Sequence, residues 1–500
     1  MRAERATRNI SEQAVPAQGT EQSLFSSSFA RHGLLYWLGR MGSRTVSIFL
    51  LPIYTAFIAP AQWGVLNILM ITSDMVVLAV SFQLCSAFYR YWAFTPGEEE
   101  KRRLFGLLLS SSALLSGVLL LPVYIWPQWT RRALGVDIPN SYIWFLTGTM
   151  QLSVLFGAIQ AELRLRNKAR LYAALDMGRN LCMAIINIFL VAELGLGIKG
   201  ILIGQFITFA LIVAALLPYS LRRATLNLDT AVIRKLLFFS LPLIPSALAM
   251  AAVNNIDRFF LQSMLGPAAV GIYSMGYKFG TLVSLLVLGP FALIWEPKSY
   301  EIAKRTDAPE KIGEIFSLLM FFLLWVAIGL TGASREIVHI MTARGYWNAL
   351  RVIPVVSFSY VFFGMDTIVK TGLMVHKKTK AVLFVVLAAC ASNIAANLLL
   401  IPRMGMQGAA WATLIAFAVL FFLDMSLGRR YLPIRFEWGK LSLLFLAGCL
   451  ALAGMHMVRD VGLLPAMALK FVILAVMTGM LFMLGFFKMG KHWARSSNGF

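Results

Sequence analysis

Charged residues are scarce in this chain of 500 residues: only 14% are Asp, Glu, Lys or Arg, while 59% are hydrophobic. Soluble domains carry about 25% charged and about 45–50% apolar residues, so the composition excludes both a soluble globular protein and a disordered one. Cysteine and histidine are also few, with four and five residues. The cysteines all fall within apolar segments and the histidines are scattered, which excludes a disulfide framework and a metal site. No catalytic residues are evident either.

The chain does contain a series of apolar stretches about 20 residues long, each sufficient to cross roughly 30 Å of hydrocarbon. Because the strand-like alternation of apolar and polar residues is absent, the predicted spans are helices. We therefore predict an all-α polytopic membrane protein with about 14 transmembrane helices. They are placed at 33–57, 63–88, 104–126, 141–162, 171–192, 198–220, 236–264, 271–295, 314–334, 352–374, 379–401, 406–427, 440–458 and 463–487.

The net charge of +22 is unusual for a membrane protein. The positions of the Lys and Arg residues along the chain explain this charge. About 30 of the 45 Lys and Arg residues fall in the two termini and in alternate links between spans. Such a bias places those links, and both termini, in the cytoplasm, where basic residues contact lipid headgroups. The basic composition therefore predicts membrane lipids as partners and no nucleic acid.

An internal repeat divides the spans. Pro60–Val65 resembles Pro267–Ile272 at a spacing of 207 residues, and Gly197–Gly200 resembles Gly405–Gly408 at a spacing of 208. These marks predict two parallel six-helix repeats plus two C-terminal helices, an organisation typical of transporters with alternating access. The predicted parts are a polar cytoplasmic tail (1–32), an N-terminal lobe (33–221), a C-terminal lobe (222–430), two additional transmembrane helices (431–487) and a cytoplasmic tail (488–500).

Ionisable residues within the spans are the candidates for function, because a charge near the bilayer centre costs about 3 kcal/mol or more and normally faces a partner or a watery cavity. Seven cations and four acids stand out, an excess of three positive charges. Candidate substrate contacts, with nearby polar residues included, are Arg40, Arg44, Arg179, Asn254, Asn255, Arg258, Tyr277, Lys278 and Lys370. Candidates for ion coupling or charge pairing are Asp74, Asp176, Asp257 and Asp366. The seventh cation, Lys470, is expected to snorkel or to bind lipid.

Spacing leaves structural alternatives open for each candidate. Asp176 and Arg179 are three residues apart and Asp366 and Lys370 four apart, so each pair could form within one helix. Asp74 has no local partner, and hairpin geometry places it near Arg44. Asp257 could simply neutralise Arg258 or Lys278. The four acids could instead bind a proton or a sodium ion, and no other cofactor is indicated.

Three motifs in the second half resemble polysaccharide-exporter flippases, a family within the multidrug, oligosaccharidyl-lipid and polysaccharide exporter superfamily. They are Phe239–Pro245 (FSLPLIP), Asn255–Arg258 (NIDR) and Gly266–Tyr273 (GPAAVGIY). The turn at 60–64 is similar, and the resemblance covers about residues 33–430. In related lipid II flippases, arginines of the first helix line the central cavity, and Arg40 and Arg44 occupy that helix here.

The resemblance implies a flippase that moves a polyprenyl-diphosphate-linked oligosaccharide across the bacterial inner membrane by alternating access. Its cargo would be a repeat unit of O-antigen (lipopolysaccharide), capsule or exopolysaccharide. Its partners would be that anionic lipid-linked oligosaccharide and, downstream, a polysaccharide polymerase and export machinery. The excess of intramembrane cations suits a diphosphate, since Arg and Lys form charge-assisted hydrogen bonds with phosphate oxygens.

Two other functions are considered. A cation-coupled multidrug exporter of the same superfamily would favour cationic drugs and hence an acidic cavity. A membrane-embedded glycosyltransferase or polymerase would carry a substantial outer loop with catalytic acids or bases. The longest outer links here have only about 15–20 residues and contain no cluster of acids. We therefore expect the protein not to be an enzyme.

Overall fold

The computed structural model of the protein describes residues 49–166, 168–225, 229–458, 462–484 and 486. Within these ranges the regular structure is helical, without strands. Twelve helices are long and apolar enough to cross a membrane, and the bent pair Thr230–Ser240 with Leu243–Leu265 makes a thirteenth. They match thirteen of the fourteen predicted spans in order and confirm an all-α polytopic protein. Most of the first predicted span lies outside the described residues.

Eight helices make up the described part of the first half. They are α1 (Leu51–Phe57), α2 (Pro60–Val80), α3 (Leu84–Ala93), α4 (Glu98–Ile125), α5 (Pro127–Leu134), α6 (Asn140–Leu165), α7 (Ala169–Ile188) and α8 (Gly197–Leu221). A π-helical turn, Phe189–Glu193, extends α7. The second predicted span is divided, because Phe82 and Gln83 adopt positive φ angles of 48° and 52° between α2 and α3.

The remaining helices follow the same order in the second half and beyond it. They are α9 (Thr230–Ser240), α10 (Leu243–Leu265), α11 (Pro267–Gly280), α12 (Gly289–Ile302), α13 (Ala308–Gly332), α14 (Ser334–Met341), α15 (Ile353–Val369), α16 (Thr371–Val375), α17 (Thr379–Met404), α18 (Met406–Gly428), α19 (Trp438–Met457) and α20 (Leu463–Met483). A π-helical turn, Ser284–Leu288, precedes α12, and a 3₁₀ segment, Arg344–Arg351, precedes α15.

The seventh predicted span is bent by 43° between α9 and α10. Pro242 lies at this break, and a proline lacks the N–H that a continuous helix would use. The two parts also pack differently: Leu236 of α9 is fully buried in a hydrophobic cluster with Phe88 of the first half. Arg90 lies 4.5 Å from the ring centroid of Phe239 in the same contact. α9 therefore connects the halves on the basic side of the protein.

Two contacts between links each join links that the predicted topology places on the same side of the membrane. On the basic side, Arg166 lies 2.9 Å from Glu98, which joins two basic links. On the opposite side, the Tyr346 hydroxyl donates to the carbonyl of Ile58 at 2.8 Å. Each contact joins links that alternating spans place on one face, as the predicted topology requires.

The repeated turns have equivalent structures. Gly197 and Gly405 both adopt positive φ angles, +53° and +59°, at the start of α8 and α18. Gly200 and Gly408 then lie against carbonyls of the preceding helix, so that a Cβ at Gly200 would come within 3.1 Å of Leu190 O. At Gly408 the corresponding distance, to Leu400 O, is 2.3 Å. The sequence repeat therefore marks the same tight helical hairpin in both halves.

Candidate substrate cavity and charge networks

A cavity of about 210 Å³, lined by polar and apolar side chains in equal number, lies among the helices of the first half. Its walls come from α1, α2, α7 and α8, and one residue of the second half, Lys278 on α11, completes it. The polar lining residues are Tyr54, Asn67, Asn180, Asn187, Gln205 and Lys278. Among the described lining residues, Lys278 carries the only charge, so this cavity is basic and rich in amides.

One face of α2 forms a continuous wall of the cavity. Trp63, Asn67 and Met70 all line it, at the spacing that places residues on one side of a helix. Asp74 follows Met70 by four residues, so it lies on the same face of α2 one turn further along. Its side chain is exposed. Its expected neighbour Arg44 lies outside the described residues, as does Arg40.

Lys278 reaches the cavity across the boundary between the halves. Its Nζ lies 5.8 Å from the ring centroid of Trp63 on α2, within the range of a cation–π contact. The two helices pack closely here because glycines replace bulkier residues at their crossing. A Cβ at Gly64 would fall 1.8 Å from Pro267 O, and one at Gly271 would fall 1.9 Å from Pro60 O.

The two asparagines of α7 are placed differently. Asn187 is buried and donates to the Tyr54 hydroxyl at 3.2 Å, which joins α7 to α1 within the cavity wall. Asn180 donates to the carbonyl of Asp176 in its own helix at 2.7 Å. Asn187 Oδ1 has no hydrogen-bond partner among the described residues and is buried beside Gly204, where an added Cβ would lie 2.0 Å from it.

In the second half, Arg258 and Asp257 form a buried ion pair with an N–O distance of 2.8 Å. The Arg258 guanidinium also donates to the carbonyl of Asn254 at 2.6 Å and lies 3.9 Å from the ring centroid of Tyr277. Only 5% of Arg258 is exposed, because these neighbours enclose it. Of the two sequence hypotheses for Asp257, the contacts match neutralisation of Arg258.

Hydroxyl groups from three further helices complete this network. Tyr273 of α11 donates to Asp257, and Thr413 of α18 donates to the same carboxylate at 3.4 Å. The hydroxyls of Tyr277 and Tyr360 lie 3.1 Å apart, which links α11 to α15. Asn255, by contrast, donates to Ala251 O within α10 at 2.9 Å. In this conformation Arg258 and Tyr277 stabilise the packing of four helices.

Two predicted local pairs are present. Arg179 lies 3.2 Å from Asp176, and its guanidinium also packs 5.3 Å from the ring centroid of Phe209. Lys370 lies 3.6 Å from Asp366, which is only 2% exposed. The structure adds a neighbour that was not predicted: Asp424 of α18, which is also buried and lies close to Asp366.

The expectation for Lys470 was wrong. Its Nζ donates to the carboxylate of Glu336 at 2.7 Å, and both residues are buried. Glu336 belongs to the short helix α14, about 130 residues earlier in the chain, and local spacing could not reveal the pair. The pair joins the last transmembrane helix to the second half, so Lys470 neither snorkels nor faces lipid.

Several polar cavity residues were not among the predicted site residues, and Asn67 and Gln205 are two of them. Asn67 had a usable signal, since it lies seven residues before Asp74 and therefore shares its helical face. Gln205 is a single amide within the apolar run of α8, and such residues also occur at ordinary contacts between membrane helices. The structure was needed to show that both face the same space.

A known family matches this chain in sequence, and solved structures match it in fold. The family described as "Polysaccharide biosynthesis protein" matches residues 29–299. No curated protein matches it significantly by sequence. The fold is similar to that of the lipid II flippase MurJ in an inward closed conformation, with a TM-score of 0.67 and 16% identity over 90% of this chain and 98% of that one.

Multidrug transporters share the fold as well. A mutant of the Vibrio cholerae MATE transporter VcmN aligns with a TM-score of 0.58 and 16% identity, covering 81% of this chain and 97% of that one. An outward-facing multidrug resistance MATE family transporter of the MOP superfamily aligns with a TM-score of 0.59 and 12% identity, covering 80% of this chain and 95% of that one. At these identities the likeness establishes the fold.

Proposed function

This chain belongs to the polysaccharide biosynthesis protein family, and from that premise we propose that it is a flippase for a polyprenyl-diphosphate-linked oligosaccharide. It moves the sugar-bearing head from the cytoplasmic to the outer leaflet of the bacterial inner membrane by alternating access. The cargo is a repeat unit of a surface polysaccharide such as O-antigen, capsule or exopolysaccharide. A polymerase and export machinery then use the product on the outer side.

The cavity carries this proposal. It contains four side-chain amides and one lysine, and none of its described lining residues is acidic. Amides both donate and accept hydrogen bonds, as binding of sugar hydroxyls requires, and an ammonium group replaces part of the hydration of a diphosphate. The polyprenyl tail needs no such site because it is already soluble in the bilayer.

The dimensions of the cavity support alternating access. About 210 Å³ is below the roughly 300–1,000 Å³ of sites that enclose drug-sized ligands, and an oligosaccharide diphosphate is larger than most drugs. The halves are joined on the outer side through Gly64 and Gly271. Loading therefore requires the halves to part, and movement of Lys278 with the second half would open the cavity.

The alternative function is a multidrug exporter, since MATE transporters have the same fold. Two observations favour the flippase. The cavity has a cation where cationic drugs would require an acid. The flippase structure also covers 90% of this chain, against 80–81% for the MATE transporters.

The test is replacement of Lys278 in cells that lack the native copy of the gene. We expect Lys278→Glu to cause accumulation of the lipid-linked oligosaccharide and loss of surface polysaccharide at normal protein level, with Lys278→Gln intermediate. Lys380→Glu and Lys380→Gln are the matched controls, because Lys380 is exposed on the basic side and the charge changes are the same. Normal glycan output from Lys278→Glu, or a drug-sensitive phenotype without any accumulated lipid-linked oligosaccharide, would contradict the proposal.

A further inference from the structure

Two buried carboxyl groups meet between α15 and α18, away from the cavity. Asp366 and Asp424 are each only 2% exposed, and the close crossing of the two helices brings their carboxyls together. Asp366 Oδ1 and Asp424 Oδ1 are buried and accept no hydrogen bond from the described part of the protein. We refer to Asp366 and Asp424 as the carboxyl pair.

A tight seam between the helices lies one turn beyond the carboxyl pair. A Cβ at Gly372 would come within 2.7 Å of Gly428 O, and one at Gly428 within 2.8 Å of Val369 O. Gly428 follows Asp424 by four residues, and Val369 follows Asp366 by three, so each acid stands directly above the seam. The seam holds the two carboxyls together because the helices cannot separate there without losing close backbone contacts.

Among the described residues, Lys370 is a cation beside the carboxyl pair. Its Nζ lies 3.6 Å from Asp366 Oδ2, and 34% of its side chain is exposed. The neighbouring helices α10 and α11 carry ionised residues that are engaged elsewhere: Asp257 pairs with Arg258, and Lys278 lines the cavity. His376, beyond α16, packs its ring 5.3 Å from that of Tyr431.

The closeness of the two acids favours a bound proton. Two carboxylates can only accept hydrogen bonds, so the two carboxyls can bond to each other only when one of them is protonated. Two carboxylates so close together in a buried site repel each other strongly, and the stable arrangement shares one proton. With Lys370 charged, the singly protonated group is neutral overall, whereas loss of the proton leaves a net negative charge.

A metal cation fits the site less well. The Lys370 ammonium occupies one flank of Asp366, and it would repel a sodium ion. The charge of Lys370 therefore favours a proton.

We propose that Asp366 and Asp424 form a proton-binding site that holds one proton between them and exchanges it on the cytoplasmic side, beside Lys370. Use of this proton to drive the movement of the halves rests on the proposed flippase function. The exchange is a simple transfer in which water or buffer gives a proton to the carboxyl pair and later takes it back. Relative movement of α15 and α18 at the glycine seam would separate the carboxyls and release the proton.

Infrared difference spectroscopy of the purified protein tests the site without any lipid substrate. The wild type is expected to show a protonated carboxyl band at neutral pH that disappears in strong alkali. Asp366→Asn and Asp424→Asn should each lose it, and both variants should fold, because an amide can donate to the remaining carboxylate as the protonated acid does. Glu193→Gln, which removes an exposed acid at the opposite side, should keep the band.

The outcomes separate this inference from the proposed function. A wild-type spectrum without such a band, or a band unchanged in both Asn variants, overturns the proton site. Loss of the band on addition of sodium at constant pH overturns it too, because a metal site would then exist. If the band behaves as expected but reconstituted protein flips no lipid-linked oligosaccharide, the flippase proposal fails alone. If flipping is normal in both Asn variants and independent of a pH gradient, the coupling role fails.

Discussion

Gly64 of α2 and Gly271 of α11 occupy equivalent places in the two halves and each makes room for the other's helix. A Cβ at Gly64 would lie 1.8 Å from Pro267 O, and one at Gly271 would lie 1.9 Å from Pro60 O. Such distances are far below van der Waals contact, so only glycine permits this crossing. Small residues are the usual means by which membrane helices approach each other closely. The repeat in the sequence is therefore also the contact that joins the halves on the outer side.

We predict that Gly64→Ala or Gly271→Ala prevents the outer closure. Each added methyl group meets a backbone carbonyl, which cannot move away without shifting the helix. The protein should then favour an outward-open arrangement, and glycan output should fall by about tenfold or more, since 1.4 kcal/mol of bias gives that factor. Labelling from outside of a cysteine introduced at Thr55, which is buried where it accepts a hydrogen bond from Ala343 of the second half, should increase.

Gly157→Ala is the matched control for both glycine variants. It makes the same substitution within α6, where the new methyl group meets nothing within 4 Å. It should leave output and labelling unchanged. Equal activity of Gly64→Ala, Gly271→Ala and Gly157→Ala would show that the outer contact is not part of the transport cycle.

The buried pair of Lys470 and Glu336 should stabilise the attachment of α20. Removal of one partner leaves the other charge buried, which typically costs roughly 3–5 kcal/mol. Lys470→Met should therefore lower the melting temperature of the purified protein in detergent. The double variant Glu336→Gln, Lys470→Met should recover much of the loss, because both buried charges are then removed. A single variant that melts with the wild type would show that the pair contributes little.

Arg40 and Arg44, in the first predicted span, are predicted to bind the diphosphate. Arg40→Ala or Arg44→Ala should abolish surface polysaccharide while the protein still inserts, as judged from its level in membranes. Full glycan output from the double Ala variant at normal protein level would refute this role. The exchange Arg44→Asp with Asp74→Arg separates the alternatives, since rescue by the exchange indicates a structural pair rather than substrate contact.

The architecture was largely predictable because membrane spans and repeated turns leave strong local signals. A helix must satisfy its own backbone in lipid, so an apolar run of sufficient length predicts a span directly. The turns at Pro60 and Pro267 share both sequence and position, and their contact in the structure explains the resemblance. The pair of Asp176 with Arg179 was accessible for the same reason, since helical spacing alone brings the two together.

The structural features that were not predicted depend on contacts between distant segments of the chain. Asp424 stands alone in an apolar run, and its partner Asp366 lies 58 residues earlier on another helix. Glu336 and Lys470 are more than 130 residues apart. The bend before α10 and the packing of α9 against the first half were also hidden, because Leu236 looks like any apolar residue of a span. Hydrophobicity shows that such residues are buried, but not against what.

The proposed function is the movement of a polyprenyl-diphosphate-linked oligosaccharide across the bilayer. The direct measurement uses purified protein in sealed proteoliposomes whose lipid-linked oligosaccharide carries a fluorophore on the sugar, with a membrane-impermeant quencher added outside. We predict that quenching proceeds beyond the outer leaflet fraction in vesicles with wild-type protein, and that it stops at that fraction in empty vesicles and with Lys278→Glu. Quenching that stops at the outer leaflet with wild-type protein, while the same vesicles transport cationic drugs, would contradict the account.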